Sequence, residues 1–333
     1  MVHVSGIRCV RSARDSRTTC TAPASLLRRS DPRCGTIRAK AVADRSKGVI
    51  IPPYNVLITG GSKGIGRALA ERFLASGDNV VICSRTSSAV ESAVADMAAT
   101  YTATGRIHGI PCDIARADDV EALAAFAQAK MSGSIDIWIN NAGSNAYSYT
   151  NLSESDANDL EEIVATNVLG SLICCRQAIR SMREQPAGGH IMLMDGAGST
   201  GSPTPRFAAY GATKRSLGQM ISSVNAELAK DGLSDKICAH NLSPGMVTTE
   251  LLMSGADTPQ AKWFINCLAE KPETVAEYLV PLVRELPGTP LRAQDIRFLT
   301  GAGAVKRILS RILLETNRNR WVPEDGNSRL PIF

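Results

Sequence analysis

The chain has 333 residues and is 44% hydrophobic, which suits one large folded domain with a sizeable core. Its net charge of +5 is misleading, because residues 1–46 hold nine Arg and one Lys against three Asp, which leaves −2 for the remainder. Such a nearly neutral body lacks the basic surface that nucleic-acid binding requires, so nucleic acid is excluded as a partner.

The first 46 residues have the composition of an organellar transit peptide. They are rich in Arg, Ser, Thr and Ala, and they contain no Glu and no apolar run long enough for a secretory signal or a membrane span. We expect cleavage near Ile37 to Ala41. A disordered basic tail that stays attached is the alternative, and composition alone does not separate a chloroplast from a mitochondrion.

From Tyr54 onward, short apolar runs alternate with longer segments of helical periodicity, which is typical of βα units on a parallel sheet. Six strands are predicted in YNVLITG, NVVICS, IHGIPCD, IDIWINN, HIMLMD and KICAHNLS, and a seventh in DIRFLTG. Helices are predicted at about 64–76, 86–103, 117–132, 153–183 and 208–230, then at about 257–286, with Gly77 ending the first.

This pattern predicts an α/β fold, a single Rossmann-type doubly wound parallel sheet of about seven strands with helices on both faces. We place the leader at 1–46, the Rossmann-type domain at 47–303 and a C-terminal amphipathic basic extension at 304–333. No repeat, low-complexity tract or second-domain boundary interrupts the chain.

The nine cysteines and four histidines show no metal-binding pattern. No C-x-x-C motif occurs, and His108, His190 and His240 lie apart in strand-like contexts. The adjacent Cys174 and Cys175 fall in a helical pattern, where we expect burial as small apolar side chains. The sequence therefore predicts structural thiols in a reducing compartment and no metal site.

A glycine-rich stretch, TGGSKGIG at Thr59 to Gly66, joins the first predicted strand to the first predicted helix. A dinucleotide-binding motif requires this context. Gly60 would permit the tight turn, while Gly64 and Gly66 would let the backbone and the helix N-terminus approach a pyrophosphate.

The end of the second strand indicates which dinucleotide is bound. A carboxylate there would bind the ribose 2′-hydroxyl, but ICSRTSS has Arg85 and no acid, and a guanidinium accommodates a 2′-phosphate. Lys63 adds a second cation, and the hydroxyls of Ser84 and Thr86 could donate to the phosphate oxygens. NADPH is therefore preferred over NADH, unless Lys63 and Arg85 are merely solvated surface charges.

Five motifs in order resemble the short-chain dehydrogenase/reductases over about residues 54–250. They are TGGSKGIG, NNAG at Asn140 to Gly143, Asn167 in the helix after the fourth strand, Y-x-x-x-K at Tyr210 and Lys214, and SPGMVTT at Ser243 to Thr249. By this resemblance the cofactor contacts are Gly60, Ser62, Lys63, Gly64, Ile65, Gly66, Arg85, Asp113, Asn141, Ala142, Gly143, Tyr210, Lys214, Pro244, Gly245 and Thr248. Asp113 would lie by the adenine and Thr248 by the carboxamide.

The resemblance also implies a catalytic group of Tyr210, Lys214 and Asn167. Tyr210 would donate a proton to a carbonyl oxygen, although an ordinary phenol with a pKa of about 10 is poorly matched to neutral pH. We expect the adjacent Lys214 ammonium to stabilise the phenolate and lower that pKa. In the family this lysine also holds the nicotinamide ribose, and the asparagine supports a water relay to it.

The family usually adds a serine about thirteen residues before the tyrosine, but Asp195, Gly196, Ala197 and Gly198 occupy this neighbourhood. The nearest hydroxyl is Ser199, eleven residues before Tyr210, and a Gly-rich loop could bring it to the substrate oxygen. Ser199 is therefore the predicted fourth catalytic residue. Thr200 and Ser202 are the alternatives.

Longer stretches resemble the chlorophyll b reductases of plants and green algae. They are MDGAGSTGSPTPRFAAYGATK, INNAGSNAYSY, HNLSPGMVTTELLMSGADTPQAKWFINCLAE, PETVAEYLVPLVR and IRFLTGAGAVKRILSRILLETNRNRWV. The resemblance implies NADPH-dependent reduction of the C7 formyl group of chlorophyll b, or chlorophyllide b, to a hydroxymethyl group. It also makes the leader a chloroplast transit peptide, and it implies antenna pigment-proteins and related reductases as partners in a homo- or hetero-oligomer.

Two other functions stay open. The core motifs allow reduction of another lipophilic carbonyl, such as a keto-lipid or a retinoid-like aldehyde. The unusual end of the fifth strand allows a non-catalytic NADPH-binding scaffold, although the intact Asn167, Tyr210 and Lys214 argue against it.

The segment from Leu251 to Glu270 lies where the family places its substrate lid. Met253, Trp263, Phe264 and Ile265 would suit a flat apolar macrocycle, and ordinary core packing is the alternative for the same residues.

No window approaches ~18 uninterrupted apolar residues, which predicts a soluble or peripheral enzyme. The C-terminal extension has Val305, Ile308, Leu309, Ile312 and Leu313 on one helical stripe, with Lys306, Arg307 and Arg311 beside it. This pattern is compatible with lying on an anionic thylakoid surface, or with packing on the body or on a partner subunit.

Overall fold

The computed structural model describes residues 48–324, so the predicted leader and residues 325–333 of the extension lie outside the described residues. Within this range the sheet has seven parallel strands in the order β3-β2-β1-β4-β5-β6-β7. The strands are β1 (Asn55–Thr59), β2 (Asn79–Ser84), β3 (Ile107–Pro111), β4 (Ile137–Asn140), β5 (Gly189–Met194), β6 (Ile237–Ser243) and β7 (Asp295–Arg297). All seven predicted strands and the doubly wound fold are confirmed.

The helices of the same range cover both faces of this sheet. They are α1 (Gly64–Ala75), α2 (Ser87–Thr100), α3 (Ala117–Lys130), α4 (Ala157–Val164), α5 (Ser171–Glu184), α6 (Ala208–Lys230), α7 (Glu250–Met253), α8 (Pro259–Leu268), α9 (Pro272–Glu285) and α10 (Gly301–Leu314). Strands β1, β4 and β5 are buried along their whole length, which explains why they are continuous apolar runs rather than alternating ones.

Two apolar cores lie on opposite faces of the sheet. One contains Phe73 of α1 and Leu279 of α9, and the other contains Leu123 of α3 and Cys174 of α5. Helix α1 ends as predicted, because Gly77 takes a φ of 91° and its N–H donates to the Leu74 carbonyl at 3.0 Å. Burial of Cys174 and Cys175 is confirmed.

The predicted helix at 153–183 is wrong as one continuous element. A 3₁₀ turn at Leu152–Glu154 precedes α4, and a π-helical segment at Ala165–Gly170 separates α4 from α5. The wider turn places Asn167 in the interior, where it is 1% exposed. Single π-helical turns within α-helices occur frequently at functional sites, and this interruption therefore supports Asn167 as a candidate site residue.

His190 and His240 meet in the core, because β5 and β6 are neighbours. His190 Nδ1 lies 3.1 Å from His240 Nε2, and the Gln294 N–H donates to His240 Nδ1 at 3.2 Å. Burial lowers the pKa of His190 to about 4 and that of His240 to about 3. These two histidines, which are 50 residues apart in sequence, are therefore neighbours in the fold. Residues 48–324 contain no group of three side chains suited to hold a metal ion.

Helix α10 packs on α8 through its charged side. Arg311 is 1% exposed and binds Glu324 and the Thr316 carbonyl, and Arg307 donates to the Leu268 carbonyl at 3.1 Å. Their acceptors thus hold these two arginines toward the body, and of the three predicted cations only Lys306 is exposed. The exposed residues of the helix are Gly301, Ala302, Val305, Lys306, Leu309, Ile312, Leu313 and Leu314. No helix within 48–324 is long and apolar enough to cross a bilayer.

Candidate active site

A cavity of about 1550 Å³ opens beyond the carboxyl ends of the strands, where the strand order reverses between β1 and β4. Ligands of open α/β sheets bind at this switch point. All the predicted cofactor-binding residues line the cavity: Gly60, Ser62, Lys63, Gly64, Ile65, Gly66, Arg85, Asp113, Asn141, Ala142, Gly143, Tyr210, Lys214, Pro244, Gly245 and Thr248. Ser199 also lines it, whereas Asn167 lies behind the wall.

The glycine loop and the loop after β4 pack backbone to backbone. Gly60 has a φ of 66°, and a Cβ there would lie 2.9 Å from the Ala142 Cα. A Cβ on Gly66 would overlap the Gly60 carbonyl and the Asn141 amide, which itself donates to the Thr59 and Gly60 carbonyls at 2.9 and 3.0 Å. Gly66 is thus required for close packing of α1 on the loop, in addition to its predicted role in admitting a phosphate.

Two orphaned polar atoms support the fit of a dinucleotide. Ser84 Oγ and Asn141 Oδ1 are buried without a hydrogen-bond partner among the described residues, and both residues line the cavity. Buried polar atoms are normally paired, so a ligand with its own donors and acceptors would satisfy them. Ser84 is at the end of β2 and Asn141 follows β4, on either side of the glycine loop.

Both predicted 2′-phosphate ligands already have carboxylate partners. Lys63 Nζ lies 2.6 Å from Glu250 and 3.0 Å from the Tyr147 hydroxyl, and Arg85 lies 3.4 Å from Glu162. The hydrogen bond that Lys63 donates to Glu250 raises the pKa of Lys63. Such exposed pairs contribute little to stability, so a phosphate group could displace either carboxylate.

The Asn167 side chain connects three elements behind Tyr210. Its amide donates to the Ser144 carbonyl at 2.8 Å and to Thr213 Oγ1 at 3.0 Å, and its oxygen accepts from the Ser144 N–H at 2.8 Å. Thr213 Oγ1 in turn donates to the Tyr210 carbonyl at 2.7 Å. Sequence reasoning missed Ser144 and Thr213, although Thr213 lies within the Y-x-x-x-K motif.

Tyr210 and Lys214 lie on one face of α6, as predicted. The Lys214 ammonium is 5.6 Å from the centre of the Tyr210 ring and donates to the Met194 carbonyl at 3.0 Å. Burial, and then the negative charge of Asp195, raise the pKa of Tyr210 above its ordinary value. Burial lowers the pKa of Lys214 to about 8, against an opposing effect of Asp195.

The expectation that Lys214 depresses the pKa of Tyr210 below its ordinary value is therefore wrong. Desolvation disfavours the phenolate form of Tyr210, and the ammonium of Lys214 is engaged by a backbone carbonyl. The phenol is kept protonated, and a protonated phenol is the form that donates a proton in a reduction.

Ser199 is held by Asp195 at the end of β5. Its hydroxyl donates to Asp195 Oδ2 at 3.1 Å, and the same oxygen accepts from Asn241 at 3.1 Å and lies 3.3 Å from Arg297. A Cβ added to Gly196 would lie 2.5 Å from the Tyr210 hydroxyl, so only backbone borders that hydroxyl at this position. The loop thus brings Ser199 to the cavity with its hydroxyl already hydrogen-bonded to the carboxylate of Asp195.

The far side of the cavity is apolar. It is lined by Tyr149, Phe207, Leu251, Leu252, Phe264 and Ile265. The rings of Tyr149 and Phe207 meet edge to face at 4.3 Å, and Phe207 meets Tyr210 in the same way at 6.0 Å. Of the predicted lid residues, Phe264 and Ile265 border the cavity, whereas Trp263 packs in the interior at 2% exposure and Met253 is not part of the lining.

Known proteins are similar to this chain at two levels. The short chain dehydrogenase family model matches residues 54–260. The "Chlorophyll(ide) b reductase NOL, chloroplastic" of Oryza sativa subsp. japonica is 54% identical over 310 residues, covering 92% of this chain and 90% of the relative. Its namesake from Arabidopsis thaliana is 51% identical over 295 residues, covering 88% of this chain and 83% of the relative.

The fold is similar to that of solved bacterial reductases. A crystal structure of 3-ketoacyl-(acyl-carrier-protein) reductase from Brucella melitensis, complexed with NADH, superposes with a TM-score of 0.62 at 26% identity. The match covers 74% of this chain and 97% of that one. The likeness to the plant proteins therefore extends over most of the chain, beyond the dinucleotide-binding fold that the bacterial structure shares.

Proposed function

Since this chain belongs to the short-chain dehydrogenase family of nicotinamide-dependent oxidoreductases, we propose that it reduces the C7 formyl group of chlorophyll b, or of chlorophyllide b, to a hydroxymethyl group. The observation that carries this proposal is the position of Tyr210, between a dinucleotide cradle and an apolar wall within one cavity of about 1550 Å³. Ordinary small-molecule pockets occupy about 300–1000 Å³, so this cavity has room for a dinucleotide and a bulky apolar substrate together.

Each side chain of the catalytic group has a task in this proposal. The Tyr210 phenol, which burial keeps protonated, donates its proton to the formyl oxygen. A reduced nicotinamide supplies the hydride for the formyl carbon when it is bound. Lys214 holds the nicotinamide ribose, and Asn167 fixes α6 and the loop after β4 relative to each other. The aldehyde thereby gains one hydride and one proton and becomes a primary alcohol.

The preferred cofactor in this proposal is NADPH. Arg85 and Lys63 line the cavity, and their exposed carboxylate partners are replaceable by a 2′-phosphate. We expect Arg85→Gln to raise the KM for NADPH about tenfold and to leave the KM for NADH within about twofold. Arg116→Gln is the matched control, because Arg116 forms a similarly exposed pair at 3.4 Å with Asp119. An equal effect of Arg85→Gln on both cofactors would contradict the preference.

A competition among carbonyl substrates tests the reaction itself. The full chain, in mild detergent with NADPH, is offered chlorophyll b, chlorophyllide b, retinal and a long-chain keto-lipid, and each alcohol product is quantified. The proposal expects the hydroxymethyl pigment as the preferred product. Faster turnover of retinal or the keto-lipid would assign the site to another lipophilic carbonyl, and NADPH binding without any product would leave only a scaffold.

We also propose a chloroplast location at the thylakoid surface, with the leader as transit peptide. The two plant relatives are named chloroplastic, and the outward face of α10 exposes Leu309 and Leu313 at 49% and 74%. A double Leu309→Glu and Leu313→Glu variant should no longer sediment with vesicles of thylakoid lipids. Leu152→Glu is the control, because Leu152 is 57% exposed outside α10. Unchanged sedimentation of the double variant would favour a stromal enzyme.

Assembly with a second subunit is a further part of the proposal. The helices after β4 expose Val164, Leu169 and Leu172 at 47–49%, and large exposed apolar side chains are typical of contact surfaces. Leu169→Glu should shift the sedimentation velocity toward that of a monomer. An unchanged value would remove this face as the site of contact between copies of the chain.

A further inference from the structure

The segment between β6 and α8, residues 250–257, rests on one aromatic side chain. We call it the lid segment, because Leu251, Leu252 and Gly255 in it line the cavity. The Tyr149 hydroxyl donates to the Leu251 carbonyl, and Gly255 is so close to the Tyr149 ring that any Cβ there would overlap it. The lid segment is therefore held and packed against Tyr149.

The ring of Tyr149 is linked to Tyr210 through the ring of Phe207. Tyr149 contacts Phe207 edge to face at 4.3 Å, and Phe207 contacts Tyr210 at 6.0 Å. Aromatic pairs of this kind restrict each other's ring orientation, because the positive edge of one ring prefers the negative face of the next. The lid segment, Tyr149 and Phe207 therefore form one continuous wall of the chamber beside Tyr210.

Arg206 connects three loops around Tyr149. Its Nε donates to the Tyr149 carbonyl at 3.0 Å, and its two terminal nitrogens donate to the Asp257 carboxylate at 3.0 and 2.6 Å. Arg206 follows β5, Tyr149 follows β4 and Asp257 ends the lid segment. One guanidinium thus joins loops that are 51 and 57 residues away in sequence.

The backbone of Arg206 is strained in this position. Its φ is 65°, in the left-handed region that an arginine rarely adopts. Strained residues persist where surrounding contacts hold them, and they concentrate at ligand clamps and switch regions. The ion pair itself is partly exposed, at 34% for Arg206 and 49% for Asp257, so it has little influence on the stability of the whole fold. Its effect is local to the lid segment.

We propose that Arg206 is a positioning residue that locks the lid segment onto Tyr149 and so shapes the chamber for the apolar substrate. The identity of that substrate rests on the proposed function. The lock, by which we mean the hold of Arg206 on Tyr149 and Asp257, does not depend on that function. Arg206 and Asp257 are absent from the cavity lining, so they act through Tyr149 and the lid segment rather than by contact with substrate. The lock governs how tightly substrate is held and leaves the proton donation by Tyr210 unchanged.

Hydrogen exchange of the lid segment tests the lock without any turnover. In the full chain with NADPH present, Arg206→Gln and Asp257→Asn should each speed exchange of the amides of residues 251–257 about fivefold. The double variant should be no faster than Arg206→Gln alone, because the pair with Asp257 is already lost in that single variant. Arg206→Lys should be intermediate, since an ammonium cannot form the bidentate pair. Arg183→Gln is the control, because the exposed Arg183–Asp231 pair at 2.7 Å lies between α5 and the end of α6.

Kinetics separate positioning from a general structural effect. Arg206→Gln and Asp257→Asn should raise the KM for pigment about fivefold, with kcat and the Kd for NADPH within about twofold. Unchanged exchange and KM in both variants, or an equal loss of NADPH affinity, would overturn the lock. Faster exchange of the lid in a protein that makes no hydroxymethyl pigment would support the lock while refuting the proposed substrate.

Discussion

The cofactor side and the lid side of the cavity are built in different ways. The cofactor side consists of backbone held close to backbone, where Gly60 and Gly66 allow α1 and the loop after β4 to approach each other. The lid side consists of side chains that join distant loops, among them Tyr149, Arg206 and Asp257. We conclude that the glycine-dependent backbone of the cofactor side suits a nicotinamide cofactor, which the whole family uses. The side chains of the lid side adapt the same fold to its substrate.

The largest effect should come from the group between the two sides. Tyr210→Phe removes the proton donor and should lower kcat about 10³-fold, since a positioned general acid contributes roughly 10²–10⁴. The NADPH affinity, measured by fluorescence titration, should stay within about twofold, because the ring and its contact with Phe207 remain. A variant that retains more than about a tenth of the wild-type kcat would show that another group supplies the proton.

Gly66→Ala should weaken NADPH binding by disturbing the cofactor side and leaving the lid side intact. The new Cβ would overlap the Gly60 carbonyl, and overpacking of this kind costs roughly 2 kcal/mol, which is about thirtyfold in NADPH affinity. Gly218→Ala is the matched control, because a Cβ at this helical glycine meets nothing within 4 Å. Calorimetric titration with NADPH measures both. Equal affinities for the two variants would contradict the backbone account of this side.

The pH profile should report the ammonium of Lys214. Because burial lowers the pKa of Lys214 to about 8, the free enzyme loses this charge as the pH rises through that value. The kcat/KM for NADPH, which reports the free enzyme, should fall about tenfold for each pH unit above about 8. A profile that stays flat to about pH 10 would show that the charge of Lys214 is not needed to bind the cofactor.

The smallest effect is expected for Ser199→Ala. The Ser199 hydroxyl donates to Asp195, and that carboxylate keeps Asn241 and Arg297 as partners after the substitution. We expect kcat to fall less than about threefold, the equivalent of one exchanged hydrogen bond. A loss of about a hundredfold would instead make Ser199 the hydroxyl that binds the substrate oxygen, as the sequence predicts.

The sequence predicted the cofactor side much better than the lid side. The strands, the glycine loop and the shared face of Tyr210 and Lys214 follow from residues close together in the chain. The π-helical turn around Asn167 and the ion pair of Arg206 with Asp257 depend on contacts between segments that are far apart in sequence. The periodicity of apolar residues in the sequence does not report such contacts. The raised pKa of Tyr210 was missed for the same reason, because it depends on burial in the folded protein.

One measurement tests the central claim most directly. The full chain is incubated with chlorophyll b and NADPH that carries deuterium at the transferable position of the nicotinamide, and the pigment is examined by mass spectrometry. We predict a hydroxymethyl pigment with one deuterium on the new alcohol carbon, formed by the wild type and nearly absent with Tyr210→Phe. An unlabelled product, or no product from a chain that binds NADPH, would contradict reduction of the formyl group in this cavity.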